Sequence, residues 1–142
     1  MNKAFLIVLT AAIFVLSGCS GKFKESQVPA TAKQTFEKNY PGIKGTWDKE
    51  GNNYEVSFKK DGKNTSVVID DSGTIVETET DIPVTDLSAT VQDYVKQHYR
   101  DKVIKEASMI TKANGEVNYE AEVGDKDLIF DANGKFLEEE KD

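Results

Sequence analysis

The sequence has one cysteine, one histidine and three prolines among its 142 residues. A single cysteine excludes an intramolecular disulfide. A single histidine means that any histidine-based metal site or catalytic relay would have to be built around His98. The chain also lacks a basic run, and its net charge is −7. Nucleic-acid binding needs clustered Lys and Arg to neutralise phosphates, so we predict no nucleic-acid partner.

The first 18 residues differ in character from the rest of the chain. Lys3 is followed by an apolar stretch from Ala4 to Leu16 that only Thr10 interrupts. A membrane-spanning helix needs roughly 20 apolar residues, and this shorter stretch instead matches the apolar region of an export signal. We therefore predict that residues 1–18 are a signal peptide and that the protein is exported.

The predicted signal ends in Leu16-Ser17-Gly18-Cys19, which resembles the lipobox of bacterial lipoproteins. The resemblance implies cleavage before Cys19 and a diacylglyceryl group on its sulfur. Residues 19–27 then form a polar tether. Removing the signal takes away one basic residue and no acidic one, which leaves a net charge of −8. Anionic headgroups repel such a chain, so the lipid on Cys19 is the expected membrane contact. No acidic cluster follows Cys19, which favours the periplasmic side of the outer membrane.

A repeat organises the remainder of the chain. Residues 28–40 align without gaps with residues 87–99, which lie 59 positions later. An apolar or aromatic residue returns at every fourth position, and this spacing is typical of one buried helix face. These positions are Val28, Ala32, Phe36 and Tyr40 in the first segment and Leu87, Val91, Val95 and Tyr99 in the second. We predict two helices of about 12 residues, each too short to be stable without packing.

Segments that alternate apolar and polar residues follow each helix and predict strands. They cover residues 44–50, 53–58, 65–70 and 74–80 in the first half, and include residues 103–111, 118–123 and 128–131 in the second. Gly beside Asp or Asn between them suits hairpin turns. Residues 28–81 and 82–142 therefore each predict a helix followed by four antiparallel strands. The predicted fold is α+β, with both repeats sharing a sheet and the helices packed on one face.

The alternation also assigns the two faces of the sheet. Apolar side chains such as Val56 and Ala121 point toward the helices. Polar side chains, among them Glu55, Asn118 and Glu120, point to the opposite face, which we expect to be exposed to water.

The residues described so far resemble a known family. Val28-Pro29-Ala30 and Leu87-Ser88-Ala89 each open a helix that ends in Tyr, and Tyr-Glu strands and an Asp-x-x-Gly turn follow. This pattern, which covers nearly all of residues 28–139, resembles the PepSY-like exported proteins of Bacteroidetes, also called beta-lactamase-inhibitor-like. The resemblance implies the same repeated fold, an export role and no catalytic residue. Ser88 and Arg100-Asp101 depart from the family's Pro and Pro-Gly, which puts the ends of the second helix in question.

No nucleophile motif, phosphate-binding glycine loop or Cys/His cluster is present. Paired carboxylates such as Glu77 and Glu79 are interpreted as solvated strand faces, as are residues 138–140. His98 is interpreted as an exposed or capping residue in the last turn of the second helix. Trp47 fits the core better than a partner interface. We predict no enzymatic activity.

Calcium binding is the alternative that the residues leave open. Two turns, Asp70-Asp71-Ser72-Gly73 and Asp131-Ala132-Asn133-Gly134, place oxygen-bearing side chains before a glycine, and hard cations prefer oxygen ligands. The candidate metal ligands are Asp70, Asp71, Asp131 and Asn133. Neither turn continues into a complete calcium loop, and turn chemistry alone explains these residues. We predict no other cofactor.

Two functions are consistent with these features. The first is a non-enzymatic, lipid-anchored binding module of the cell envelope, inhibitor-like by resemblance, whose protein partner the sequence does not identify. The second is a sensor of calcium or of envelope conditions that uses the Asp-containing turns. We favour the first.

Overall fold

The structure is a computed structural model that describes residues 23–141. This part of the chain folds into two α-helices, two short 3-10 helices and one eight-stranded antiparallel sheet, which confirms the predicted α+β class. The helices are α1 (Ala30–Asn39) and α2 (Ala89–His98), and the 3-10 helices cover Glu25–Gln27 and Val84–Asp86. The strands are β1 (Thr46–Glu50), β2 (Asn53–Lys60), β3 (Lys63–Ile69), β4 (Ile75–Asp81), β5 (Ala107–Lys112), β6 (Val117–Glu122), β7 (Lys126–Asp131) and β8 (Phe136–Lys141).

The strands lie in the sheet in chain order, and each pairs with its neighbours in antiparallel register. The β4–β5 pair joins the two halves, with Thr80 opposite Met109. The halves therefore share one continuous backbone hydrogen-bond ladder. A half of this size would bury little apolar surface alone, and the shared sheet removes an exposed strand edge from each.

The predicted helix repeat is visible in the burial of side chains. Val28, Ala32 and Phe36 are buried around α1, and Leu87, Val91 and Val95 are buried at the matching positions around α2. These residues belong to two hydrophobic clusters, the first around α1 and the second around α2. Tyr40 and Tyr99, which follow the last helical turns, are partly buried against the first and second cluster respectively. One helix face thus packs in each half, as the four-residue spacing predicts.

The departures from the family pattern leave the ends of α2 in place. Ser88 caps the helix, because its Oγ accepts a hydrogen bond from the Val91 amide at 3.3 Å. After α2, Asp101 has φ +64°, close to the +75° of Gly42 after α1. Asp tolerates this left-handed conformation better than most residues, so the chain turns in the same way after both helices.

Each helix packs on its own half of the sheet. Phe36 of α1 contacts Trp47 and Phe58, with ring centroids 5.6 and 5.1 Å apart. Tyr94 of α2 contacts Phe130, with centroids 5.4 Å apart. Trp47 is only 8% exposed, which confirms its assignment to the core.

Strand register relates these two contacts to each other. Phe58 and Phe130 belong to one row of directly opposed residues, which runs through Thr65, Thr80, Met109 and Tyr119. Side chains of directly opposed residues lie on the same face of an antiparallel sheet. The sheet residues that contact α1 and α2 therefore share a face.

Part of the predicted tether is folded. The Phe23 ring lies 6.2 Å from that of Tyr54 and packs against the first hydrophobic cluster. A 3-10 turn follows, in which the Lys24 amide donates to Gln27 Oε1 at 2.9 Å. The interpretation of residues 19–27 as a tether needs correction from Phe23 onward, because an aromatic side chain gains more from burial than from solvation.

The predicted signal peptide and Cys19 lie outside the described residues. Between residues 23 and 141, no helix has the length and apolar character needed to cross a membrane.

We call the face of the sheet opposite the helix contacts the inner face; it carries Glu55, Asn118 and Glu120. The polarity of these side chains predicts a water-exposed surface, but the inner face is largely buried. Glu55, Asn118 and Glu120 are 7, 2 and 9% exposed. This correction has a geometric cause. The charge of Glu140 on β8 raises the pKa of Glu50 on β1, yet a flat sheet would hold the two more than about 30 Å apart, at about 4.8 Å per strand. The sheet therefore curls around its inner face and shields it.

Candidate functional site

The turns predicted as calcium ligands use their carboxylates to hold their own backbone. Asp70 Oδ1 accepts from the Ser72 hydroxyl at 2.6 Å and from the Thr74 amide at 2.9 Å. Asp131 Oδ1 accepts from the Asn133 and Lys135 amides at 2.8 and 2.9 Å. The Ser72 hydrogen bond is the main reason that the pKa of Asp70 is lowered. These contacts account for both residues as turn formers.

The same two turns pack against the helices. Thr31 Oγ1 donates to the Asp71 carbonyl at 2.8 Å, and Thr35 Oγ1 donates to the Gly73 carbonyl at 2.7 Å. At Gly134 an added Cβ would lie 2.7 Å from Ser88 Oγ. Within residues 23–141, no three His, Cys, Asp or Glu side chains converge as metal ligands would. Calcium binding by Asp70, Asp71, Asp131 and Asn133 stays the alternative hypothesis, which melts in the presence of Ca²⁺ would test.

His98 has a structural environment in the last turn of α2. Its ring stacks on Tyr94 with centroids 4.0 Å apart, and Nδ1 donates to the Tyr94 carbonyl at 2.9 Å. The side chain is exposed. This contact to the end of the helix matches the capping interpretation of His98.

Carboxylates gather on the inner face instead. Five glutamates there have raised pKa values, and we call them the glutamate cluster: Glu50 on β1, Glu55 on β2, Glu77 and Glu79 on β4, and Glu120 on β6. Register explains how strands so far apart in the chain contribute to one face. Glu55 lies opposite Val68, which lies opposite Glu77, and Glu120 lies in the row that contains Ser108 and Asp81.

Burial and mutual repulsion raise the pKa of every carboxyl in the cluster. Burial and the charge of Glu55 raise the pKa of Glu50 to about 7. Burial and the charge of Glu79 raise the pKa of Glu77 to about 7 and that of Glu120 to about 9. Both effects disfavour the ionised form. At neutral pH, Glu120 and part of the Glu50 and Glu77 population therefore hold protons that exposed glutamates would have lost.

Hydrogen bonds and one lysine offset part of this effect. A hydrogen bond with Ser66 lowers the pKa of Glu55, and one with Ser108 lowers the pKa of Glu79, although burial dominates and both pKa values stay raised. The charge of Lys112 lowers the pKa of Glu77. Lys112 also lies 3.6 Å from a carboxylate oxygen of Glu116, so its charge is shared.

Two carboxylate oxygens of the cluster have no hydrogen-bond partner. They are Glu50 Oε2 and Glu120 Oε2, the buried side-chain oxygens without a partner among residues 23–141. Glu120 is 9% exposed, so one of its oxygens is withdrawn from water without compensation. An unsatisfied buried oxygen is destabilising by about 1–3 kcal/mol. This arrangement suits the recognition of a hydrogen-bond donor or a cation.

The glutamate cluster was missed because four of its members, Glu55, Glu77, Glu79 and Glu120, were interpreted as solvated. That interpretation is wrong for Glu77, which is 6% exposed, and for the largely buried Glu79. Strand alternation already placed Glu55 and Glu120 on one face, and adding β1 and β4 would have shown carboxylates on four strands of that face. Burial could not be predicted in this way, because alternation carries no information on how strongly a sheet curls.

Comparison with known proteins agrees with the repeat. The family model described as "Putative beta-lactamase-inhibitor-like, PepSY-like" matches residues 18–77 and 52–138. The chain belongs to the PepSY-like family. The two matches together span most of the chain, which confirms the family resemblance and the two PepSY-like repeats. No curated protein matches the chain.

Solved structures from Bacteroides share the PepSY-like fold. A candidate periplasmic protein of Bacteroides eggerthii has a TM-score of 0.71 at 18% identity, covering 80% of this chain and 88% of that one. A DUF2874 family protein of Bacteroides ovatus has a TM-score of 0.67 at 23% identity, and a BLIP-like protein of Bacteroides fragilis has one of 0.59 at 23% identity. Both alignments cover 80% of this chain and 86% of the other. Identities this low show a common fold and nothing further.

Proposed function

We propose that this protein is a non-enzymatic, lipid-anchored binding module of the cell envelope, which binds a protein partner at the inner face of its sheet, where Asp48 is exposed and Glu50 is half-buried. The observation that carries the proposal is Glu120. It is a nearly buried carboxylate with an unpartnered oxygen, on the sheet face opposite the contacts with α1 and α2. A partner that completes its hydrogen bonding would remove an energetic penalty that the isolated protein carries.

The direction of the pKa shifts supports binding rather than acid–base catalysis. Enzymes that use two carboxyl groups place them in different environments, so that one serves as acid and the other as base. In the glutamate cluster, all five pKa values move upward, because burial acts on each carboxyl. A shift in the same direction for every carboxyl is the effect that burial of a binding surface produces.

An envelope location is supported by sequence and by fold. The Leu16-Ser17-Gly18-Cys19 motif implies lipidation of Cys19, and a structural neighbour is described as a candidate periplasmic protein. Since Phe23 packs on the folded domain, only residues 19–22 separate the lipid from it. Four residues span at most about 14 Å. The domain would then sit close to the membrane and reach only partners near its surface.

Site-specific photo-crosslinking in cells tests this proposal. A crosslinking residue replaces Asp48 or Ser57, which register places on the inner face, in parallel with Gln34 or Lys38, which are exposed on α1. We expect discrete adducts with a protein from Asp48 and Ser57 and none from the helix positions. Equal adducts from all four positions, or none from the inner face, would contradict it.

A further inference from the structure

We propose that the inner face binds a lysine or arginine side chain of the partner protein, with the cationic head group placed among Glu50, Glu77 and Glu120. This inference rests on the proposed function and gives its partner a chemical character. It draws on the unpartnered oxygen of Glu120, the charge balance around it, and the apolar side chains that share the face.

Glu120 provides the first argument. A carboxylate that is nine-tenths buried normally has its oxygens paired, because desolvation without a partner is costly. Glu120 Oε2 has no partner, and the same is true of Glu50 Oε2. Both residues lie on the inner face, and the charge of Glu77 contributes to the raised pKa of Glu120. The charge of Glu50 in turn contributes to the raised pKa of Glu77, so Glu77 connects the two residues electrostatically. A donor at either orphan oxygen would supply the hydrogen bond that it lacks.

The charges around Glu120 provide the second argument. Carboxylates on three other strands raise the pKa of Glu120: Glu79 and Glu77 on β4, Asp127 on β7 and Glu140 on β8. Lys112 of β5 lowers the pKa of Glu77 and also pairs with Glu116, so its charge is divided between two carboxylates. The inner face therefore carries more acidic than basic groups, and a positively charged ligand complements it.

Apolar neighbours decide which kind of cation fits. Val68, Ile110 and Ile129 lie in the same inner-face rows as the glutamates and are 5, 4 and 7% exposed. Lysine and arginine combine a long aliphatic stem with a charged head, so the stem can pack on apolar groups while the head pairs with carboxylates. A bare metal ion would gain nothing from these side chains.

Proton linkage follows from the raised pKa values of Glu50, Glu77 and Glu120. Carboxyls that hold protons at neutral pH must lose them to pair with a cation as carboxylates. Binding of a lysine or arginine side chain therefore releases protons, and its affinity increases as the pH rises from 5.5 toward 8.

Titration calorimetry of the mature protein in nonionic detergent, with the peptide tetralysine as probe, tests the inference. We expect binding at pH 8 that is at least about tenfold tighter than at pH 5.5, with proton release shown by comparing buffers of different ionisation enthalpy. We expect Glu120→Gln to weaken binding about tenfold, since it removes a desolvated charge partner. Glu25→Gln makes the same charge change on the exposed 3-10 helix and should weaken binding less than about twofold. Tetralysine with all four side-chain amines acetylated should not bind.

Other results would overturn the inference. These are equal weakening by Glu120→Gln and Glu25→Gln, absence of proton release, or equal binding of the acetylated peptide. Glutamine resembles a protonated glutamate in shape, so Glu120→Gln should fold. Glu77→Gln provides the same comparison if it does not.

If these titrations fail while Asp48 and Ser57 still crosslink a partner, the binding-module function stands and its partner is not cationic at this site. Loss of the crosslinks contradicts the function itself.

Discussion

Glu50 and Glu140 lie on the two edge strands of the sheet, and the charge of Glu140 raises the pKa of Glu50. Two residues separated by six intervening strands interact because the sheet curls around its polar face. This relationship connects the fold to the proposed function. The same curl that brings the edge strands within electrostatic range of each other withdraws Glu120 from water and leaves one of its oxygens unpartnered.

The glutamate cluster predicts an unusual dependence of stability on pH. The ordinary glutamate pKa of 4.5 is raised to about 7 in Glu50 and Glu77 and to about 9 in Glu120. Between the ordinary and the raised pKa of each residue, the folded state binds more protons than the unfolded state. The free energy of unfolding therefore falls as pH rises through this range. We expect a melting temperature several degrees lower at pH 8 than at pH 5.5.

Thermal melts of variants test the source of this dependence. Glu120→Gln should reduce the difference between pH 5.5 and pH 8, whereas Glu25→Gln should preserve it. Groups with lowered pKa values, among them Asp70 and Glu139, act in the opposite sense below about pH 4.5 and do not affect this comparison. A melting temperature that rises from pH 5.5 to pH 8 would contradict burial of the cluster.

The two hydrophobic clusters should unfold together. Phe36 and Phe130 anchor different clusters, and the β4–β5 ladder joins them. Phe36→Ala and Phe130→Ala should each lower the free energy of unfolding by about 3–5 kcal/mol, within a single transition followed by urea denaturation and circular dichroism. Val103→Ala is the control, because Val103 is 76% exposed and its loss should matter by less than about 0.5 kcal/mol. Two separate transitions would show that the halves are independent.

Glycine in the helix-packed turns should resist substitution. Gly73 has φ +87°, and an added Cβ would lie 3.0 Å from Thr35 Oγ1 and 3.2 Å from the Thr31 carbonyl oxygen. Gly115 has a similar φ of +84° but open space around it. We expect Gly115→Ala to cost about 1–2 kcal/mol from φ alone, and Gly73→Ala to cost more because the helix must also move. Chemical denaturation measures both, and equal costs would mean that the turn does not press on α1.

Calcium should not stabilise the protein. Oδ1 of Asp70 and Oδ1 of Asp131 each accept two hydrogen bonds within their turns. No three His, Cys, Asp or Glu side chains between residues 23 and 141 converge to complete a metal site around them. Thermal melts with millimolar Ca²⁺, using Mg²⁺ as control, should show no Ca²⁺-specific shift. A ligand at 100 times its Kd stabilises by about 2.7 kcal/mol, so tight binding would be evident. A specific shift that Asp70→Ala abolishes would revive the sensor function.

Lipidation of Cys19 should determine where the protein resides. We expect the mature protein to partition with membranes and to enter the detergent phase on separation. Cys19→Ser removes the thiol that the lipid transfer requires, so this variant should keep its signal sequence or lose lipid-dependent partitioning. Labelling with a radioactive or clickable fatty acid provides the direct readout. A labelled Cys19→Ser protein would contradict the assignment.

The repeat illustrates how far local pattern determines this fold. Phe36 and Val95 stand 59 positions apart in equivalent helices because four-residue spacing encodes a helix face wherever it occurs. The alternation at Tyr54, Val56 and Phe58 likewise encodes one face of a strand. Helix type, strand type and side-chain facing follow from neighbours within a few residues, and these could be predicted without coordinates.

Burial of the glutamates was decided only by the tertiary structure. Glu55 and Glu120 alternate with apolar residues as exposed strand residues do, and nothing in their local sequence separates them from solvated positions. Their raised pKa values depend on burial and on charges contributed by other strands. Both follow from the summed twist of eight strands, which brings β8 within electrostatic range of β1. Local preferences determined which face each side chain occupies. The curvature of the whole sheet determined whether that face meets water.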